Sequence, residues 1–264
     1  MFTHANEPQS IGGVLDSGFK LFTASIKQVA PITYLGALGG AIGAWVLQTS
    51  MLNQIAEGGA PLDFDVPLLA GTYIAMVIVG TILMAAAIIR IRAVFTSETM
   101  SFGLAMLGGM KRAPAVIGAS LIYMLAFLVG SILLIVPGIY ISVMLAFAFY
   151  AAAADNNGPI ESIKYSYGLV KGNWWRTAGL LTVMMIVVLV FYVAVGFVVG
   201  ILAASSDSAQ DLQPSILGDI VIIPVITAVI TAMMYCLAYA VYHDLKLRSQ
   251  GIDLAERIES LDKE

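Results

Sequence analysis

The sequence predicts an all-α integral membrane protein with six transmembrane helices, and three observations support this fold class. Of the 264 residues, 59% are apolar and only 11% are charged, whereas about 25% of the residues in an ordinary soluble domain are charged. Long charge-free stretches alternate with short polar ones. When six spans are drawn, all thirteen Lys and Arg residues fall on one side of the membrane. This composition excludes a secreted enzyme, a nucleic-acid-binding protein and a disordered chain.

The charge-free stretches locate the spans, because a charged side chain at the centre of a spanning helix costs about 2.5–3.5 kcal/mol. The third stretch, 113–154, is long enough to cross a bilayer core of about 30 Å twice. Pro137 and Gly138 mark a hinge within it, since proline interrupts a helix and glycine permits a turn. The six spans are predicted near 30–55, 66–90, 113–135, 138–155, 176–204 and 217–242.

The distribution of charge predicts the orientation. The side without Lys or Arg carries six acidic residues, which are Glu57, Asp63, Asp65, Asp207, Asp211 and Asp219. Because basic residues are retained on the cytoplasmic side of a membrane, both termini are predicted to be cytoplasmic.

Each odd-numbered span is preceded by an amphipathic segment that is too polar to span, and this pattern predicts a threefold repeat. In the first segment, an apolar stripe follows helical spacing through Ile11, Val14, Leu15, Gly18, Phe19, Phe22 and Ile26. Such a helix is expected to lie in the membrane interface. The predicted unit is therefore a cytoplasmic interfacial helix followed by a transmembrane hairpin. The predicted organisation is a cytoplasmic N-terminus at 1–28, a bundle at 29–242 with further interfacial helices near 99–112 and 158–175, and a cytoplasmic tail at 243–264.

The amphipathic segments end in cations and tryptophans, which are typical of the headgroup level of a membrane. The candidates for contact with lipid headgroups are Lys27, Lys111, Arg112, Lys171, Trp174, Trp175 and Arg176. These residues either set the depth of the helices or recognise anionic lipid. Glycines at GxxxG spacing predict close helix packing, within the bundle or in a homodimer. They are Gly36, Gly39, Gly40 and Gly43 in the first span and Gly196 and Gly200 in the fifth.

The sequence offers no catalytic or metal-binding constellation. His4 and His243 are the two histidines and Cys236 is the one cysteine, so a His-centred triad or a Cys-based zinc site lacks parts. We expect Cys236 to be a small buried apolar residue, and the adjacent His243 and Asp244 to be solvated at the interface. No enzymatic activity, metal or cofactor is predicted.

Four segments carry a resemblance to a known family: 11–22, the hinge 135–139, 166–176 and 242–254. Together they resemble YciC-like bacterial inner-membrane proteins and the related membrane domain that is fused to some glycerophosphodiester phosphodiesterases. The resemblance implies a six-span bacterial inner-membrane protein associated with envelope or lipid metabolism. Phosphodiesterase activity is not expected, because the fused enzymes use a separate soluble domain for which this chain has no room.

We therefore expect a non-enzymatic inner-membrane protein that organises or senses membrane lipid, or that scaffolds an envelope partner. The alternative is a passive permease or a lipid-translocating protein, lined by hydroxyl groups of the spans. Membrane lipids, anionic ones among them, are the expected partners. A protein partner is expected to bind the cytoplasmic helices or the tail, nucleic acid is not expected, and homo-oligomerisation is left open.

Overall fold

The computed structural model describes residues 7–56, 66–204, 218 and 221–261, and the described residues form helices joined by short turns. Six helical segments are long and apolar enough to cross a membrane. The fourth of these segments consists of two consecutive helices, α4 and α5. The helices are α1 (Ile11–Ala56), α2 (Val66–Phe95), α3 (Phe102–Leu133), α4 (Ile135–Leu145), α5 (Ala148–Ala154), α6 (Pro159–Val170), α7 (Trp174–Ala204) and α8 (Ile223–Leu261).

The chain reverses between α3 and α4 at Leu134, whose extended backbone (φ −168°, ψ 152°) separates the two helices. The break lies three residues before the predicted hinge at Pro137. Pro137 falls in the first turn of α4, where a backbone N–H has no helical partner to lose. Gly138 is buried, and a Cβ at this position would overlap the side chain of Ser131 on α3. The Pro-Gly pair therefore starts α4 and lets it pack closely against α3.

The first two amphipathic segments are not separate interfacial helices, because α1 and α3 each run without a break from the amphipathic segment into the span. The apolar stripe of α1 also contacts protein. Val14 and Gly18 are buried, and a Cβ on Gly18 would lie 2.9 Å from the Cα of Leu237 on α8. Part of the predicted interfacial stripe therefore packs against α8, whereas Ile11 and Phe19 of the same stripe are exposed.

The third amphipathic segment forms a separate helix, α6, which runs back along α4 and α5. The Ser166 hydroxyl on α6 donates to the carbonyl of Met144 (2.9 Å) and accepts from the N–H of Phe147 (3.2 Å). Beyond α6, the Trp174 ring stacks on Tyr140 with centroids 5.6 Å apart. The sequence placed Trp174 and the hinge on opposite sides of the membrane. The structure instead places Trp174 beside Val136 and Tyr140, because α6 returns along α5 and α4 toward the hinge.

Burial is uneven along the helices. Beyond its first third, α7 is largely exposed, with Leu189 58% and Phe197 70% accessible, while Leu180 is fully buried. The other spanning helices show the same contrast between one packed part and one open part. Most of the buried residues fall within 14–33 of α1, 83–95 of α2, 105–119 of α3, 143–154 of α4 and α5, 177–184 of α7 and 228–245 of α8. The packed parts of the helices adjoin one end of the bundle. We call this end the basic end, because Arg92, Arg112 and Arg176 lie there.

The predicted packing glycines do not make the close helix contacts of the bundle. A Cβ on Gly39, Gly40, Gly196 or Gly200 would have no neighbour within 4 Å, and one on Gly36 would meet only Leu83 at 3.8 Å. On Gly43 it would meet the flexible end of Met76 at 2.5 Å. The backbones of α3 and α2 come close instead at Gly109, where a Cβ would overlap the carbonyl oxygen of Ile82.

We expect Gly109→Ala to destabilise the protein by about 1–3 kcal/mol, because the added methyl group displaces the α2 backbone. Gly40→Ala is the matched control, since it adds the same group where no atom lies within 4 Å. The control should leave stability unchanged or raise it slightly, because alanine favours a helix more than glycine does. Thermal unfolding of both variants in detergent measures the effect. A larger loss of stability in Gly40→Ala than in Gly109→Ala would show that the close packing lies at Gly40.

Candidate functional site

The basic residues fall into two groups. Four of them pair with a carboxylate within 4.0 Å, namely Lys20, Arg176, Lys246 and Arg248. In the part of the chain that the structure describes, the other cations whose side chains are placed have no such pair. These are Lys27, Arg90, Arg92, Lys111, Arg112, Lys164 and Lys171. The basic end therefore holds both internally neutralised charges and charges without a counter-ion.

Asp244 is the centre of the neutralised group, and its side chain is only 3% exposed. Its carboxylate accepts from Arg176 Nη2 (3.0 Å), from Arg248 Nε (2.9 Å) and from the N–H of Gln9 (2.8 Å). The carbonyl of Gln9 in turn accepts from the same two arginines, at 2.6 and 2.7 Å. We call these four residues the Asp244 cluster. It joins the segment that precedes α1 to α7 and α8.

The Asp244 cluster corrects two expectations from the sequence. Asp244 is buried rather than solvated, and Arg176 neutralises it instead of facing lipid headgroups. A buried carboxylate needs a charged partner and further hydrogen-bond donors, and the cluster supplies both. The spacing of Asp244 and Arg248, four residues apart on a helix, was a signal for part of this arrangement. Nothing in the sequence pointed to Gln9.

A second carboxylate, Asp155 at the end of α5, is also occupied. It accepts from the Tyr242 hydroxyl (2.5 Å) and from Lys246 Nζ (2.8 Å). The Lys246 ammonium lies 6.0 Å from the ring centre of Tyr165 on α6. Burial raises the pKa of Tyr165, and nearby Asp155 adds to this rise while Lys246 opposes it. Asp155 is therefore committed to Tyr242 and Lys246.

Three cations without a carboxylate partner line one pocket of about 400 Å³ at the basic end. Arg92 comes from the end of α2, and Lys111 and Arg112 come from α3. We call this the cationic pocket. No Asp or Glu is among the described residues that line it. The remaining lining residues are Ile89, Met100, Leu104, Gly108, Ala153, Ala154 and Asn156.

The packing of α3 on α2 and α5 brings these cations together. Gly108 faces Ile89, and a Cβ on Gly108 would lie 3.1 Å from the Ile89 side chain. This close approach sets Lys111 and Arg112 beside the end of α2. Arg92 Nη1 donates to the carbonyl of Ala154, which lies in the last turn of α5 and has no partner within its helix. That bond holds Arg92 at the pocket wall.

The structure brings only some of the predicted headgroup residues together. Lys111 and Arg112 share the cationic pocket, whereas Lys27 and Lys171 are exposed elsewhere and do not line it. Trp175 is 84% exposed, and Trp174 packs on Tyr140. The sequence did not single out Arg92. Arg92 could have been found because it lies in the same connection, between the second and third predicted spans, as Lys111 and Arg112.

A second cavity, of about 500 Å³, lies between α1, α2 and α8. We call it the hydroxyl groove, because Thr33 of α1 and Thr227, Thr231 and Tyr235 of α8 contribute hydroxyl groups to an otherwise apolar lining. Of the predicted packing glycines, Gly36 and Gly40 border this groove. Toward the basic end the same helices are tightly packed, as shown by the fully buried Val29 and Ile88.

Cys236 is buried as expected and lies 3.2 Å from the Ser25 hydroxyl. Among the described residues, no group of three or more His, Cys, Asp or Glu side chains is placed to hold a metal ion.

These features define an all-helical, multi-pass membrane protein. Residues 13–245 match the family described as "Domain of unknown function (DUF7847)", and the chain belongs to that family. No curated protein and no solved structure matches the chain. The resemblance to YciC-like proteins stays a prediction from the sequence.

We expect Asp244→Asn to destabilise the protein by about 3–5 kcal/mol, because it leaves Arg176 and Arg248 partly buried without a counter-ion. Asp16→Asn is the matched control, since Asp16 pairs with Lys20 but is 63% exposed. Its loss should cost about 0.5 kcal/mol or less. Thermal unfolding in detergent compares the two variants. Equal, small losses would show that the Asp244 cluster does not hold the helices together.

Proposed function

We propose that this protein is a non-enzymatic membrane protein that organises or senses membrane lipid by binding an anionic phospholipid headgroup in the cationic pocket. One observation carries the proposal. Arg92, Lys111 and Arg112 line a single pocket of about 400 Å³ with no carboxylate among its described lining residues. Basic pockets between membrane helices are suited to phosphate-bearing headgroups.

The chemistry of the pocket supports this ligand class. Arginine presents a planar fork of N–H groups that matches phosphate oxygens, and lysine adds a compact charge. The apolar lining residues, such as Ile89 and Leu104, suit the first part of a lipid chain. Each Lys or Arg near an anionic membrane surface contributes about 1 kcal/mol to attraction.

The proposed setting is a bacterial inner membrane with both termini in the cytoplasm. All thirteen Lys and Arg residues fall on one side of the predicted six-span topology, which is the bias of cytoplasmic segments. The cationic pocket would then open toward the leaflet whose surface carries anionic lipid. A protein partner that binds the cytoplasmic helices or the tail is a further part of the sequence prediction, and the chain would present lipid to it or report lipid content.

Lys111→Gln/Arg112→Gln should reduce the anionic lipid that co-purifies with the protein by about tenfold or more, since two attractive charges of about 1 kcal/mol each are removed. Native mass spectrometry of protein gently extracted from membranes of mixed lipid composition measures the bound lipids and their stoichiometry. Arg176 is left unchanged because it neutralises Asp244.

The matched control is Lys20→Gln/Lys164→Gln, which removes the same net charge from exposed positions outside the pocket. Its lipid content should match that of the parent protein. Two results contradict the proposal: an unchanged lipid content in the pocket variant, or equal losses in both variants.

A second candidate function, lipid translocation, is favoured by the hydroxyl groove. Thr227, Thr231 and Tyr235 follow one another at intervals of four residues, so they lie along one face of α8. Their hydroxyls give a polar track within an apolar groove of about 500 Å³. The packed region around Val29 and Ile88 closes the groove toward the basic end, so translocation would require α1, α2 and α8 to separate there.

If lipid translocates along the groove, Thr227→Val/Thr231→Val/Tyr235→Phe should slow the exchange of a fluorescent lipid between the leaflets of proteoliposomes several-fold. These changes remove hydroxyls and nearly preserve volume. Thr182→Val/Tyr192→Phe on α7 is the control, because neither residue lines the groove. No exchange by the parent protein above that of protein-free vesicles would exclude this function.

A further inference from the structure

We infer that the cationic pocket selects a lipid headgroup that carries two negative charges over one that carries a single charge. This inference rests on the proposed function and narrows its ligand class. Two sources supply such a headgroup: a phosphomonoester lipid, whose single phosphate ionises twice, and a lipid with two phosphodiester groups.

The charge in the pocket carries the inference. Three cations, Arg92, Lys111 and Arg112, line the same pocket, so their like charges repel one another across it. A singly charged headgroup would leave two of the three positive charges without a counter-charge. A second negative charge relieves more of this repulsion, and it does so at the edge of an apolar region where charges interact more strongly than in water.

Two carboxylates of the basic end, Asp155 and Asp244, do not supply this second negative charge. Asp155 is next to the pocket residue Asn156 in the chain, but it does not line the pocket, and its Oδ2 accepts from Tyr242 and Lys246. Asp244 is enclosed by Arg176, Arg248 and Gln9. None of the described residues that line the pocket supplies a negative charge, so a bound ligand is the source that we infer.

The size of the pocket agrees with a headgroup larger than one phosphate group. A volume of about 400 Å³ corresponds to about 13 water molecules at roughly 30 Å³ each. One phosphate group has about five non-hydrogen atoms and would fill less than half of this space. The rest can hold a second phosphate or the glycerol and ester atoms of the lipid, which the apolar side of the pocket would contact.

The test measures lipid selectivity with the full-length protein by native mass spectrometry. The protein is exposed to equimolar phosphatidylglycerol, phosphatidic acid, cardiolipin and phosphatidylethanolamine. We expect phosphatidic acid or cardiolipin, or both, to be retained about fivefold or more over phosphatidylglycerol, since one additional charge contact near the surface is worth about 1 kcal/mol. Which of the two is preferred identifies the source of the second charge.

The pH dependence separates charge from headgroup shape. The second ionisation of a phosphomonoester has a pKa near 6, so retention of phosphatidic acid should fall about threefold or more between about pH 7.5 and pH 5.5. The charged groups that line the pocket are Arg92 of α2 and Lys111 and Arg112 of α3. Phosphatidylglycerol is measured at both pH values to correct for any titration of the protein outside the pocket.

Two variants test the residues. Arg112→Gln should bring the preference for the doubly charged lipid close to one while phosphatidylglycerol is still retained above phosphatidylethanolamine. Lys111→Gln should also lower the preference for the doubly charged lipid over phosphatidylglycerol. Lys111 is exposed, so this change removes no packing. Lys164→Gln should leave it unchanged. Thermal unfolding of each variant verifies that the fold is retained.

The outcomes are distinct for the two proposals. Equal retention of singly and doubly charged anionic lipids overturns this inference and leaves the proposed function standing. Equal retention of anionic and neutral lipids overturns both. Displacement of bound lipid by millimolar inorganic phosphate would show that the occupant is a free anion and would overturn the assignment to lipid.

Discussion

The buried carboxylate of Asp244 holds the basic end of the bundle together, and the positions of three chain segments follow from it. Burying a charge is expensive unless partners replace its water, and two arginines with one backbone N–H do so here. The contact joins Gln9 to Asp244 across 235 positions of the chain. The Asp244 cluster is most important for α7. This helix is mainly exposed beyond its first third, and Arg176 near its start joins it to α8.

The cations at the basic end fall into two groups, one paired with carboxylates and one without such partners. Arg176, Lys246 and Arg248 are neutralised by Asp244 and Asp155, so their role is to join helices. Arg92, Lys111 and Arg112 are gathered at one pocket without a carboxylate. Fixed charges of one sign beside a low-dielectric wall focus their field on the space between them. Asp155, which precedes the pocket residue Asn156 in the chain, pairs with Lys246 and is not among the residues that line the pocket.

The sequence predicted the helical class, the six apolar segments and the reversal near Pro137, because each depends on local chemistry: hydropathy, charge and proline geometry. It also predicted a buried Cys236. It placed the reversal three residues late and missed the burial of Asp244, which depends on a contact with Gln9 at the other end of the chain. The stripe of α1 from Ile11 to Ile26 was predicted to lie in the membrane interface, because periodicity identifies an apolar face but not what covers it, and Val14 and Gly18 of this stripe are buried. Lys111 and Arg112 were among the candidates, whereas Arg92 joins them only through the packing of α3 on α2.

The uneven burial of the helices has a mechanical consequence. Where side chains interdigitate, near the basic end, a helix cannot tilt without breaking many contacts. Where α1, α3 and α7 present mostly open surface, the helices can change tilt at little cost. A change in bilayer thickness or lateral pressure is therefore expected to be absorbed by splaying of the open parts, with the packed region acting as a rigid collar that keeps its shape.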